Sequence, residues 1–168
     1  MLVLLVRHAH AGSKDRWQAD DALRPLNERG VAEAAALVGV LSRYAPRQIL
    51  SSPLLRCVQT VQPLAAHLGL AVEAVTALGP AAGKRVAAFV RGLDGKEGPV
   101  VVCTHGETIE ALQAHLSGEG APSFASGTVH EKGSVWLLHT LDGKVTSARY
   151  LQPPARAGGE ITPSASDH

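Results

Sequence analysis

Met1–Gly12 reads MLVLLVRHAHAG. Its first six residues form a short continuous apolar run, the pattern of a strand covered on both faces. The run stops abruptly at Arg7-His8. The same grammar returns at Pro99–Gly106, PVVVCTHG, where an apolar strand through Cys103 ends at His105-Gly106. Gln48–Leu50 reads as another strand, followed by Ser52-Pro53, a hydroxyl cap and a proline at the first helical position. Between these strands the apolar period changes to that of helices. Gly30 introduces VAEAAALVGVLSRY, in which Val31, Ala34, Ala35, Val38 and Leu41 share a stripe and Glu33 and Ser42 lie off it. The helix after Ser52-Pro53 runs through Val58, Val61 and Leu68, and Pro63 is expected to kink or restart it. Ala71–Val75 reads as a strand, and Lys84–Leu93 as a helix with Val86, Phe89, Val90 and Leu93 inward. Glu107–Leu116 reads as a further helix. Ser134–Leu141 and Lys144–Tyr150 flank Asp142-Gly143, a hairpin turn signal. Strands alternating with helices predict an α/β fold, a three-layer sandwich with a mostly parallel central sheet and helices on both faces.

The 168 residues suffice for one domain. We place it at residues 1–152, followed by a disordered tail at 153–168, where Pro, Gly, Ala and Ser take over. Sixteen Lys and Arg against fifteen Asp and Glu leave a net charge of +1, without the basic excess of a nucleic-acid-binding domain. Any anion site must therefore be local. The start imitates a signal peptide, but its apolar run is too short and no basic segment precedes it. No uncharged apolar run approaches the ~20 residues of a membrane span. Two cysteines, Cys57 and Cys103, form no CxxC pair, which fits a reducing cytoplasmic setting.

The chemistry converges by position. Arg7-His8 follows the first strand, Arg56 lies one turn into the helix after the second, and His105-Gly106 follows the strand VVVC. Parallel strands deliver their carboxyl ends to one edge of the sheet, where ligands bind. Two arginines and two histidines gathered there repel one another unless an anion joins them. Arginine forks suit phosphate oxygens, and helix N-termini near Ser52 and Gly106 point amide donors at the same place. A neutral imidazole beside them is a competent nucleophile toward phosphorus.

These residues resemble the histidine phosphatase superfamily, the phosphoglycerate-mutase-like fold. Its three motifs match LLVRHAHAG, SSPLLRCVQT and VVCTHGETI in order. The resemblance implies His8 as the phosphorylated nucleophile and Arg7, Arg56 and His105 as the phosphate pocket, with Gly106 and Ser13 added to the substrate contacts. It implies no metal and no cofactor. DDALRPLNERG resembles the small bacterial phosphohistidine phosphatases. WQADDALRPL, RCVQTVQPLA and EKGSVWLL resemble the phosphatase-like domain appended to some MutT-type Nudix hydrolases, although no Nudix box is present. The expected substrate is accordingly a phosphohistidine protein or a nucleotide. Two departures stand out. Position 11, often a hydroxyl residue, is Ala11. The acid that many members carry between the second and third motifs has no counterpart, since Glu73 sits in an apolar run and Asp94 and Glu97 belong to the opposite edge. Asp21 is the candidate partial substitute, or the group that positions Arg24.

Two other readings compete. His8-x-His10 after a strand is also how metal-dependent amidohydrolases begin their metal site, but that chemistry normally occupies a barrel of ~250 residues. A non-catalytic module binding phosphorylated ligands is the stronger alternative, given the missing acid. Cys57 and Cys103 read as buried structural thiols, and His67, His115, His130 and His139 lack joint metal-binding spacing. Trp17 beside Lys14 and Arg16 reads as a loop hydrophobe or a stacking group, and Lys132 before Gly133 is a further residue within reach of the site.

Overall fold

The computed structural model describes residues 1–116, 124 and 129–154. Six strands form one sheet: β1 (Leu2–Arg7), β2 (Gln48–Ser51), β3 (Val72–Ala74), β4 (Val100–Thr104), β5 (Val135–Leu141) and β6 (Lys144–Leu151). Their order across the sheet is β3-β2-β4-β1-β5-β6. The first four are mutually parallel, β5 runs antiparallel to β1, and β6 antiparallel to β5. The expected hairpin is the edge pair β5–β6, and its turn holds Asp142 and Gly143 at φ 51° and 72°, the left-handed pair that a tight two-residue hairpin needs.

Side chains of β1 alternate between two cores, as a pleated strand requires. Val3 and Leu5 join Val100, Val102, Ile109 and Leu112 on one face. Leu4 and Val6 join Val101, Cys103, Leu37 and Val61 on the other. Helices α3 (Arg85–Gly92) and α4 (Gly106–Leu116) cover the first face, and α1 (Glu28–Leu41) and α2 (Leu55–Leu68) the second. This is the three-layer sandwich read from the sequence. Among the described residues no helix is long and apolar enough to cross a membrane. The tail placed at 153–168 falls, apart from Pro153 and Pro154, outside the described residues.

Several local expectations need correction. Helix α1 starts at Glu28, before Gly30, and is capped by Asn27, whose side chain accepts from the Gly30 amide at 2.9 Å. Its buried face is Gly30, Glu33, Ala34, Leu37 and Leu41, whereas Val31 is 58 % exposed. The face is rotated because Gly30 lies against the His10 backbone, where any side chain would overlap the His10 carbonyl, and Glu33 binds the same loop. Ser52 is not the N-cap of α2, a position held by Leu54 with no side-chain cap; the Ser52 hydroxyl accepts from the Leu54 amide at 3.4 Å and also binds a side chain across the sheet edge. Pro63 does not restart α2, which runs unbroken from Leu55 to Leu68 with the proline inside it. Burial of Val61, Leu64 and Ala65 on the sheet offsets the missing amide donor.

Candidate active site

The carboxyl ends of β1, β4 and β2 are fastened side by side. Arg7 pairs with Thr104 in register, the His8 amide donates to the Thr104 carbonyl at 3.0 Å, and the Ser52 amide to the Cys103 carbonyl at 2.9 Å. Chain connectivity thus brings three loops distant in sequence to one edge. Gly106, the first residue of α4, leaves room there for Arg7: a Cβ at position 106 would stand 3.0 Å from the Arg7 guanidinium carbon.

His8 is 6 % exposed. Its Nδ1 lies 2.8 Å from the Ala9 carbonyl. A carbonyl only accepts, so the ring proton belongs on Nδ1 and the Nε2 lone pair is free. Burial pushes the His8 pKa down to about 3, helped by the charges of His105, Arg56 and Arg7 and opposed by the Ala9 bond. The imidazole is therefore neutral at physiological pH, the state a nucleophile needs. The His105 ring meets it edge-on with centroids 5.3 Å apart. Ser52 Oγ holds His105 Nε2 at 2.8 Å, and Cys57 Sγ lies 3.5 Å from the same nitrogen. Serine 52 thus belongs to the site through His105, and Cys57 packs behind it.

Two guanidiniums flank the histidines. Arg56 is buried, and its terminal nitrogens donate to the Asp21 carbonyl at 3.0 Å and the Asp21 carboxylate at 3.1 Å. Arg24 Nε donates to the same carboxylate at 2.9 Å. The bond from Arg24 is the main reason that the Asp21 carboxyl lies below its ordinary pKa. A carboxylate held ionised by two arginines donates protons poorly, so the geometry fits the positioning role rather than the acid role. Arg7 Nη1 donates to the His130 carbonyl at 2.6 Å and lies 3.1 Å from His130 Nδ1. His130 Nε2 in turn meets Glu110 Oε1 at 2.8 Å. Burial lowers the Arg7 pKa, while Glu107 and Glu110 oppose that. The Nε–H of Arg7 and that of Arg56 are both buried without a partner. Buried donors are nearly always satisfied, and two orphans beside one cleft ask for an acceptor. The cleft is a cavity of about 310 Å3 whose walls include Arg7, His8, Asp21, Arg56, His105 and Gly106.

Of the residues expected at the site, Ser13 is the one the fold leaves out. It is exposed on a turn, where its carbonyl accepts from the Arg16 and Trp17 amides, and its neighbour Lys14 lines the cavity instead. His10 turns away from His8 and pairs with Glu33 at 2.8 Å. Among the described residues no three His, Cys, Asp or Glu side chains are arranged to hold a metal ion. Glu73 bonds Gln48 on the surface, and Asp94 accepts from Thr140 and the Gly143 amide beside the hairpin, both away from the cleft. Sequence reasoning missed His130 and Glu110. Glu110 carried a signal, since it lies three residues from Glu107 on the same helix face. His130 carried none, because the long segment before it gives no register.

The pattern of the histidine phosphatase superfamily (branch 1) matches residues 3–80, which hold the first two of the three loops. The third loop completes the constellation beside them. This chain resembles the histidine phosphatase superfamily. The 8-oxo-(d)GTP phosphatase of Mycolicibacterium smegmatis is 38 % identical over 160 residues, covering 90 % of this chain and 48 % of that protein. The chain thus spans about half the length of the curated relative it matches. Among solved superfamily structures, the protein histidine phosphatase SixA complexed with tungstate aligns at a TM-score of 0.71 and 23 % identity, over 92 % of this chain and 97 % of that one. The putative phosphohistidine phosphatase SixA from Agrobacterium tumefaciens aligns at 0.71 and 26 % identity, over 90 % and 97 %. The phosphoglycerate-mutase-like architecture expected from the motifs is the architecture these superfamily relatives share with the chain.

Proposed function

We propose that this chain is a phosphatase that works through a phosphohistidine at His8, on a phosphohistidine protein or a nucleotide. One observation carries the reading: a neutral, buried histidine with a free Nε2 lies between two arginines that each present an unpaired buried Nε–H. In the first step Nε2 attacks phosphorus and the bond to the leaving group breaks, its electron pair departing with that group. Arg7 and Arg56 hold the equatorial oxygens as charge spreads over them, and His105 adds a donor beside them. Water then attacks the phosphoramidate, releasing phosphate and restoring His8. Asp21 keeps Arg56 and Arg24 oriented. Of the carboxylates lining the cavity, Asp21 is held by Arg24 and Arg56 and Glu110 pairs with His130, which leaves neither placed to protonate an alkoxide. Leaving groups that need little protonation, an imidazole or a phosphate, therefore suit the site.

The test is turnover. Purified protein offered phosphohistidine peptide, nucleoside diphosphate and alkyl phosphate should release phosphate from the first or second faster than from the third, and His8→Ala should abolish release. Tight phosphate binding without turnover of any of them would select the non-catalytic binding module instead.

A further inference from the structure

The phosphoryl cavity has a larger neighbour of about 700 Å3, whose walls include Arg29, Glu131, Gln152 and Pro153. The two cavities share two side chains, Arg7 and Lys132. Lys132 therefore stands on the partition between the place where phosphorus reacts and a space large enough for the rest of a substrate.

The charges around Lys132 are unevenly satisfied. In the smaller cavity Asp21 is taken by Arg24 and Arg56, and Glu110 by His130. Glu33, a carboxylate of the larger cavity whose charge acts on Lys132, is taken by His10 and Arg29. Lys132 itself has no hydrogen bond or ion pair among the described residues. It is partly buried with Arg7 and Arg24 close by, and burial first, then those like charges, holds its ammonium below the ordinary lysine range. Glu107 in the smaller cavity and Glu131 in the larger are exposed carboxylates that make no hydrogen bond or ion pair with it. A partly buried ammonium beside Arg7 and Arg24 with no carboxylate bonded to it is an arrangement that a second anionic group relieves.

We propose that Lys132 grips the phosphate that is not transferred, so that the preferred substrate is a phosphoanhydride whose remaining part occupies the larger cavity. The proposal rests on the phosphatase reading of the smaller cavity and narrows its substrate class. When His8 Nε2 bonds to the terminal phosphorus, the bridging P–O bond breaks and its electron pair passes to the inner phosphate. Negative charge grows on that leaving oxygen beside Lys132, whose ammonium stabilises it electrostatically. The site then needs no carboxylic acid, and its absence between the second and third motifs follows. A phosphohistidine donor gains nothing here, because its leaving imidazole develops no oxyanion.

The experiment compares kcat/KM for a nucleoside diphosphate, an aryl phosphate monoester and a phosphohistidine peptide, using wild type, Lys132→Gln and Lys132→Arg. We expect wild type to prefer the diphosphate. Lys132→Gln should lose about ten- to a hundredfold more on the diphosphate than on the monoester, the scale of one charge-assisted contact. Lys132→Arg should restore most of that difference. Equal losses on all three substrates, or a wild-type preference for the monoester or the peptide, would overturn the proposal. Calorimetric titration with methylenediphosphonate and methylphosphonate reads the same contact without turnover: wild type should bind the first more tightly, and Lys132→Gln should bind the two alike. A diphosphonate advantage that depends on Lys132 in a protein hydrolysing nothing would sink the phosphatase reading and keep the anion site. Hydrolysis with no such advantage would do the reverse.

Discussion

Replacing His8 by Asn removes a ring that the fold keeps neutral, and the consequence is visible in stability as well as in catalysis. His8 has an ordinary pKa of 6.5 when exposed in the unfolded chain and about 3 in the folded protein. Between those values the unfolded chain binds a proton that the folded protein refuses, so stability falls as pH falls through the window. At about pH 5 this linkage amounts to about 2 kcal/mol, and its limit below pH 3 is about 5 kcal/mol. Above about pH 7.5 it vanishes, because both states are neutral there. Asparagine cannot titrate, yet its amide can still donate to the Ala9 carbonyl. Urea unfolding of both proteins at about pH 8 and pH 5 isolates the term, since every other titrating group is common to both. Wild type should lose about 2 kcal/mol more than His8→Asn on acidification. Parallel losses would refute the buried neutral histidine, and a wild type that gained relative to the variant would mean an ion-paired imidazolium instead.

Arg56→Lys keeps the charge but loses the fork that spans Asp21 and the cavity, so kcat/KM should drop about ten- to a thousandfold; steady-state kinetics showing less than a twofold change would place Arg56 outside the reaction. Two glycines on one helix should respond oppositely to alanine in thermal or urea unfolding. Gly30→Ala forces a methyl into the His10 carbonyl and should cost about 1–3 kcal/mol or more, whereas Gly39→Ala meets nothing within 4 Å and should stabilise by about 0.5–1 kcal/mol. Similar effects at the two positions would contradict the packing of α1 on the His10 loop.

The layer order and the loops bearing Arg7-His8 and His105-Gly106 were legible because β1 and β4 are apolar runs that lead into charged or titratable residues, and Arg56 because a short apolar strand precedes the helix that carries it. The face of α1 was not. Its apolar stripe favours Val31 and Ala35, but a close approach at Gly30 and the polar grip of Glu33 on the His10 loop decide its rotation, and both depend on chain segments distant in sequence. Ser52 shows the same limit. A serine before a proline reads locally as a cap; its hydroxyl keeps a long bond to the Leu54 amide, but its short bond goes to a histidine 53 residues away. Pro63 leaves α2 unbroken for a related reason, since burial of Val61, Leu64 and Ala65 outweighs one lost amide donor. The acid question turned on the same distinction: Asp21 could be placed near the site from its loop, but only the folded positions of Arg24 and Arg56 make it a held carboxylate.

The central claim is a covalent bond from His8 Nε2 to phosphorus, and the measurement closest to it is intact-protein and peptide mass spectrometry after rapid alkaline quenching during turnover, conditions that preserve a phosphoramidate. The account predicts one added phosphoryl group, located on the peptide that contains His8 and absent from His8→Ala. Turnover with no such adduct in wild type, or a phosphoryl group on any other residue, would contradict it.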